Sequence, residues 1–343
     1  MPNPQKDKKS SRAFQVALAI VVSLVAIWLV FRKLDFQAML NAYRQLNFGT
    51  VLLILLCFSA GLVLRGLTCK LILGPKFSYA DAFWAMNIGY LLNSIMPLRL
   101  GEFGRAAVLV GQSKGSATYM EALASIVAER FLDLLVGFIF LLASLLLFIE
   151  NATLKNIAWW GFIVLSLGLV LIIIMAKYKE RISSWLNDRF SKSPFMVEKV
   201  IPSLDHLLSG FQFFLRPARL IPAFLILVLS WSFSMLEFNI LQTAILETTE
   251  WWWPMLVIPA SAFVNALPAA PGGLGVFEAG AVGTFALVGV DKAPALAMAL
   301  VVHAVQILIP AVLGVIGLFV TGESFRSLVE KATAIRKRKT EIS

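Results

Sequence analysis

Six stretches of the chain, at about 13–31, 49–72, 120–149, 157–176, 220–246 and 295–320, are apolar almost throughout. Each approaches or exceeds the ~20 residues that an α-helix needs to cross a bilayer. Charged residues make up only 15% of the chain and hydrophobic residues 59%, whereas a soluble domain carries about 25% charge. The mean hydropathy is +0.82. These runs predict an all-α integral membrane protein, a multi-pass helical bundle.

Two further apolar regions, 79–112 and 252–290, are interrupted by Pro, Gly and charge. Each contains the pattern Pro-x-x-Leu-Gly-x-Phe: Pro97-Leu98-Arg99-Leu100-Gly101-Glu102-Phe103, and Pro271-Gly272-Gly273-Leu274-Gly275-Val276-Phe277. An Asn precedes each copy (Asn93, Asn265), and a Glu lies in or just after it (Glu102, Glu278). Backbone released from helical bonding at membrane depth must be buried in protein or line a wet cavity. Both regions are therefore expected to be re-entrant hairpins or broken helices.

Superposing the two copies gives an offset of 174 residues, Gly101 onto Gly275. The same offset sets Arg65 on Asn239 and Glu129 on His303, so polar residues recur at matching places in apolar spans. Each half reads as three spans and a broken hairpin, and an odd number of spans turns the second half upside down relative to the first. Two inverted repeats are expected, an organisation found in secondary transporters. The expected divisions are a basic tail at 1–12, repeat 1 at 13–149, repeat 2 at 150–320 and a basic tail at 321–343. Repeat 2 includes a loop, 177–219, expected to form one or two amphipathic helices at the interface.

Loop charge orients the chain. Lys6, Lys8, Lys9 and Arg12 precede the first span; Lys177, Lys179, Arg181, Arg189, Lys192, Lys199, Arg216 and Arg219 occupy the long loop; Lys331, Arg336, Lys337, Arg338 and Lys339 follow the last span. The positive-inside rule places all three segments, and so both termini, in the cytoplasm of a cell (plasma or inner) membrane. Arg32, Lys33 and Arg44 fall outside in this scheme, a mild conflict. Residues 13–31 are expected to be a retained signal anchor, because Arg32-Lys33 stand where a cleavage site would. The net charge of +10 thus reflects orientation and anionic lipid, not nucleic acid. Cys57 and Cys69 lie twelve positions apart on one expected helix, about 18 Å at a helical rise, too far for a disulfide.

The residues that carry chemistry cluster at the breaks and in the spans. Arg99, Glu102 and Arg105 surround the first break, Arg65 lies in the second span, and Glu129, Arg130 and Asp133 lie in the third. Charges at such depth usually face inward, pair with one another and mark a pathway. A guanidinium fork matches phosphate, so these arginines suit a lipid head group; the same residues would equally serve as an ion-pair network fixing a broken helix. In the second break, Pro271, Gly272, Gly273 and Gly275 either expose backbone N–H groups to an anion at a half-helix opening near Leu274 or merely shape a tight turn. Glu278 either caps that helix or meets an arginine of the first half. Glu237 and Asn239 form an intramembrane polar pair, and Trp251-Trp252-Trp253 reads as an interfacial aromatic belt. Asn151-Ala152-Thr153 matches a glycosylation tripeptide. Metal-ligand clusters, Walker loops, dinucleotide fingerprints and nucleophile elbows are absent from the sequence. No catalytic residue, metal or cofactor is expected.

Three segments, Arg99-Leu100-Gly101-Glu102-Phe103-Gly104-Arg105, Glu129-Arg130-Phe131-Leu132-Asp133 and Pro271-Gly272-Gly273-Leu274-Gly275-Val276-Phe277-Glu278, resemble the signature segments of the lysylphosphatidylglycerol synthase transmembrane family. The resemblance covers about 13–320 and implies a flippase-like membrane protein. In two-part members this domain moves aminoacylated phosphatidylglycerol between leaflets, and a separate cytosolic domain attaches the amino acid. The chain ends about 23 residues after its last span, so synthase activity is not carried over. The expected function is a lipid translocase or lipid-binding transporter, with its site between the two broken hairpins. Arg99, Arg105 and Arg130 would bind head-group phosphate. Glu102, Glu129 and Asp133 would orient them or engage a cationic head group. Glu278 with the Pro-Gly-Gly segment would form the opposite gate. The alternatives are a non-transporting partner of a separate lipid or glycan synthase, and a membrane-embedded transferase using Glu129 or Glu102.

Overall fold

The computed structural model describes residues 35–96, 100–113, 115–265 and 271–324, with Val21, Val25, Trp28 and Arg32 before them. The expected first span, at 13–31, lies largely outside these residues, as does Arg99. Twelve α-helices are described: α1 (Phe36–Arg44), α2 (Phe48–Leu73), α3 (Tyr79–Ile95), α4 (Gly101–Gln112), α5 (Tyr119–Phe148), α6 (Ala152–Lys177), α7 (Lys179–Phe190), α8 (Ile201–Phe211), α9 (Pro217–Ile245), α10 (Trp253–Asn265), α11 (Val276–Ala286) and α12 (Lys292–Thr321). No strand occurs among the described residues.

Five helices, α2, α5, α6, α9 and α12, are long and apolar enough to cross a membrane. They coincide with five of the six expected spans. The helices of the interrupted regions, α3 with α4 and α10 with α11, run 17, 12, 13 and 11 residues, short of the ~20 that a crossing takes. Each region is broken where Pro and Gly interrupt its apolar run.

Side-chain caps fix where several helices begin. Thr118 and Glu121 form a reciprocal capping box at the start of α5. Asn151 accepts from Leu154 N at the start of α6, so the Asn151 tripeptide serves as a helix cap. Each such cap contributes about 1 kcal/mol. Pro222, Pro259 and Pro310 lie inside α9, α10 and α12, which membrane helices tolerate where neighbouring groups satisfy the freed backbone.

The residues group into two compact units: Met1–Ala60, Tyr90–Gly101 and Ser232–Val312; and Gly61–Gly89, Glu102–Trp231 and Leu313–Ser343. In the first, Phe238 of α9 stacks on Phe285 of α11 with ring centroids 5.5 Å apart, and Trp253 of α10 meets the same ring edge-on. Trp253 is buried. Only Trp251 of the triple tryptophan is largely exposed, which corrects the expectation that all three form an interfacial belt. Trp253 starts α10 and turns its ring into the helical core instead.

In the second unit, α8 packs so closely on α5 that a β-carbon on Gly210 would collide with Ala124. Ser230 of α9 donates to the Gly61 carbonyl of α2 at 2.9 Å, a polar link of the kind that joins membrane helices. The loop 177–219 forms two helices, α7 and α8, as expected, joined through a π-helical turn at Met196–Val200. They are tied together by Asp205 of α8, which accepts from Ser183 at 3.0 Å and pairs with Lys179 at 3.0 Å. Burial pushes the Asp205 carboxyl up, but the hydrogen bonds from Lys179 and Ser183 outweigh it and hold the group below the usual carboxylate range. A lowered folded pKa gives stability that is complete above the ordinary aspartate value of about 3.9 and is lost as pH falls below it. Amide protection over 179–211, once the intrinsic pH dependence of exchange is divided out, is therefore expected to be unchanged between neutral and mildly acidic pH and to weaken as pH falls below the ordinary aspartate value.

Candidate functional site

Six charged residues of the second unit form one alternating chain. Arg65 of α2 donates to Asp133 of α5 at 2.8 Å. Asp133 lies 3.9 Å from Arg130, one turn earlier on α5. Arg130 donates through Nε and Nη2 to Glu102 Oε1 of α4, at 3.0 and 2.6 Å. Glu102 lies 4.0 Å from Arg105, and Arg105 forms a two-pronged ion pair with Glu129 of α5. Three guanidinium groups thus alternate with three carboxylates, and their formal charges cancel.

Helical periodicity explains the chain. Glu129 and Asp133 lie four residues apart and share a face of α5, so each meets an arginine of another helix. Arg130 stands about a quarter-turn round, where it bridges Asp133 and Glu102. Gly89 of α3 lets the Arg105 stem approach closely, because a β-carbon there would stand 3.0 Å from Arg105 Cβ.

The chain is closed at one end and open along the rest. The Arg105 side chain is 1% exposed and that of Glu129 8%. Arg105 Nη2 also donates to Cys69 Sγ at 2.8 Å, while its Nε has no partner among the described residues. A buried charge is stable only when paired and hydrogen-bonded, and the fork on Glu129 meets that need. Arg130, at 28% exposure, and Arg65, at 22%, remain partly accessible.

Trp231 of α9 completes the open end. Its indole N–H donates to Asp133 Oδ1 at 2.9 Å, and the Arg65 guanidinium lies 5.7 Å from the centre of its ring. Neither Trp231 nor Cys69 was singled out as a site residue from sequence. A tryptophan deep in an apolar span is nonetheless a signal, since its N–H needs an acceptor.

The first unit holds a second constellation, at the Pro-Gly-Gly break. Gly272, Gly273 and Gly275 all have positive φ, between 70° and 82°, a backbone conformation that glycine adopts without penalty. The helix expected near Leu274 starts at Val276, with Gly275 as its N-cap. Glu278 accepts from Gly275 N at 2.7 Å, and its other oxygen lies 2.7 Å from His303 Nδ1. His303 Nε2 lies 2.8 Å from the Gly272 carbonyl. Glu278 therefore caps its own helix and pairs with histidine; among the described residues it meets no arginine. His303, left out of the expected site, ties α12 to both sides of the break.

Both breaks use asparagine in a similar way. Asn93 accepts from Gly101 N at 2.8 Å, and the Asn265 side chain occupies the space that a β-carbon on Gly273 would need. In each case the Asn lies in the last turn of the preceding helix and meets a glycine eight residues later.

Glu237 and Asn239 do not bond to each other. Residues two apart point to opposite sides of a helix. Asn239 instead accepts from Gln242 at 3.1 Å and donates to the Trp251 carbonyl at 3.4 Å. Glu237 is buried, and its Oε1 has no partner among the described residues. No group of three metal-ligating side chains occurs among the described residues.

A family model of the lysylphosphatidylglycerol synthase TM region matches residues 16–314. The chain is also 22% identical over 316 residues to the UPF0104 membrane protein PH1989 of Pyrococcus horikoshii, covering 87% of this chain and 94% of that protein. The family match takes in the alternating ion-pair chain, both breaks, four of the five described spans and most of the fifth, and the chain belongs to the lysylphosphatidylglycerol synthase TM region family.

Proposed function

We propose that this protein is a lipid translocase, moving a phospholipid or another lipid with an anionic head group between leaflets. The observation that carries the proposal is the alternating ion-pair chain, sealed at Arg105–Glu129 and open at Arg65, Asp133 and Arg130. Arg105 and Glu129 anchor the broken helix α4 to α5. The open members exchange internal partners for a head group: Arg65 and Arg130 take phosphate, and Glu102 and Asp133 take a cationic substituent; Arg99, outside the described residues, would add a further phosphate ligand. Such exchange keeps every charge paired at each stage, which charge at membrane depth demands. Within the first unit, the Pro271–Gly275 segment, held by Glu278, serves as a gate. The lipid's covalent bonds stay intact, so the protein acts as a transporter and not as an enzyme. It resides in the cell membrane with both termini cytoplasmic, as loop charge favours.

A second reading has one observation in its favour: the charges of the chain cancel internally, as in a purely structural network. The protein would then be a non-transporting partner of a separate lipid or glycan synthase. Reconstitution separates the two. Liposomes containing the purified protein are expected to exchange a fluorescent anionic lipid between leaflets faster than protein-free liposomes. Equal rates would reject translocation, and a stably co-purifying synthase would then support the partner role.

A further inference from the structure

A separate cavity of about 380 Å³ opens in the second unit, where the end of α2, the start of α5, the end of α8 and the start of α9 meet. Three cationic side chains line it, Lys76, Arg216 and Arg219, against one carboxylate, Glu121. Glu121 is already committed to the α5 capping box and lies 3.4 Å from Lys76. The side chains of Arg216 and Arg219 make no hydrogen bond or ion pair with any described residue. Both sit at the N-terminal end of α9, whose first turn contains no acidic residue. Arginines at the positive end of a helix dipole face repulsion that an anion would relieve.

The backbone makes room for this arrangement. Gly74 has φ +80°, and a β-carbon on it would stand 2.6 Å from Arg219 Nη1. Gln212 adds a polar group to the wall, and Phe77 and Phe213 add apolar surface. The lining therefore combines phosphate-matching guanidinium forks with a surface suited to the glycerol portion of a lipid. A basic pocket among helix ends is a recognised form of phospholipid head-group site.

We propose that this cavity is a phosphate-binding site, occupied by a phospholipid head group or by free phosphate, with Arg216 and Arg219 as its ligands. It shares no residue with the ion-pair chain and does not require the protein to translocate lipid.

The test is thermal unfolding of the full chain in detergent, titrated with short-chain phosphatidylglycerol, matched phosphatidylcholine or inorganic phosphate. Wild type is expected to be stabilised by phosphatidylglycerol and not by phosphatidylcholine. The Arg216→Gln/Arg219→Gln variant should lose about tenfold or more in apparent affinity, as befits removal of charge-assisted hydrogen bonds. Stabilisation by phosphate alone, lost in the same variant, identifies free phosphate as the source; stabilisation by the lipid alone identifies the head group. Should that variant not fold, Lys76→Gln provides the same comparison at an exposed position. Lys192→Gln, at an exposed position in neither site, should leave the response intact, and Arg130→Gln reports binding at the ion-pair chain separately. An unchanged response in Arg216→Gln/Arg219→Gln, a response lost only in Arg130→Gln, or no stabilisation of wild type by either phosphate source would overturn the proposal.

Discussion

Glu129→Gln should be among the most destabilising single substitutions in this protein, at about 3–5 kcal/mol, because it leaves the Arg105 guanidinium buried without its counter-charge. Arg105 is 1% exposed and donates twice to Glu129. Its nearest other carboxylate oxygen, on Glu102, is 4.0 Å away and belongs to a group already engaged by Arg130. Arg105→Met should be similarly costly, since it strands the Glu129 carboxylate. The double variant Arg105→Met/Glu129→Leu removes both charges together and should recover most of the loss, because a buried ion pair replaced by apolar groups is often neutral or better. Unfolding of all three variants in detergent gives the coupling energy directly. Strict additivity would show that the pair is not a coupled anchor.

Gly273→Ala is expected to have the second large effect. Gly273 holds φ +72°, and its missing β-carbon leaves the space taken by the Asn265 side chain. A side chain in this backbone region costs roughly 1–2 kcal/mol, and displacing Asn265 disturbs the seam between α10 and the break. Gly283→Ala in α11 is the matched control: a β-carbon there meets nothing within 4 Å, and φ is not positive. Alanine is favoured over glycine inside a helix by up to about 1 kcal/mol, so Gly283→Ala should be neutral or stabilising. Measured unfolding temperatures with the order of the two variants reversed would contradict the described geometry of the break.

The long helices were legible because length and hydropathy decide them locally. The run at 49–72 became Phe48–Leu73, and the run at 120–149 became Tyr119–Phe148. The two broken regions were legible for an equally local reason, since Pro and Gly clustered within a few residues disfavour helical bonding more than a single Pro or Gly does. Partner choice was not local. Arg65 and Asp133 are 68 positions apart, and Trp231 and Asp133 are 98 apart, so no pattern along the chain announces their meeting. The sequence did suggest that intramembrane arginines and carboxylates pair; it did not say which, nor that the six would form one neutral series. His303 shows the same limit from the other side. Its recurrence opposite Glu129 in the 174-residue offset hinted at a role, and only the fold reveals its hold on Glu278 and the Gly272 carbonyl.

If the open end of the ion-pair chain handles the head group, its members should be needed for transport more than for folding. Arg130 is the residue to change, being the most exposed of the three arginines and the link between Asp133 and Glu102. The decisive measurement is the leaflet-exchange rate of an anionic phospholipid in liposomes carrying equal amounts of folded wild type or Arg130→Gln. Losing one charge-assisted interaction with the moving head group should slow exchange by about tenfold or more, with the unfolding temperature little changed. Equal exchange rates for the two proteins would contradict the assignment of the ion-pair chain as the lipid's path.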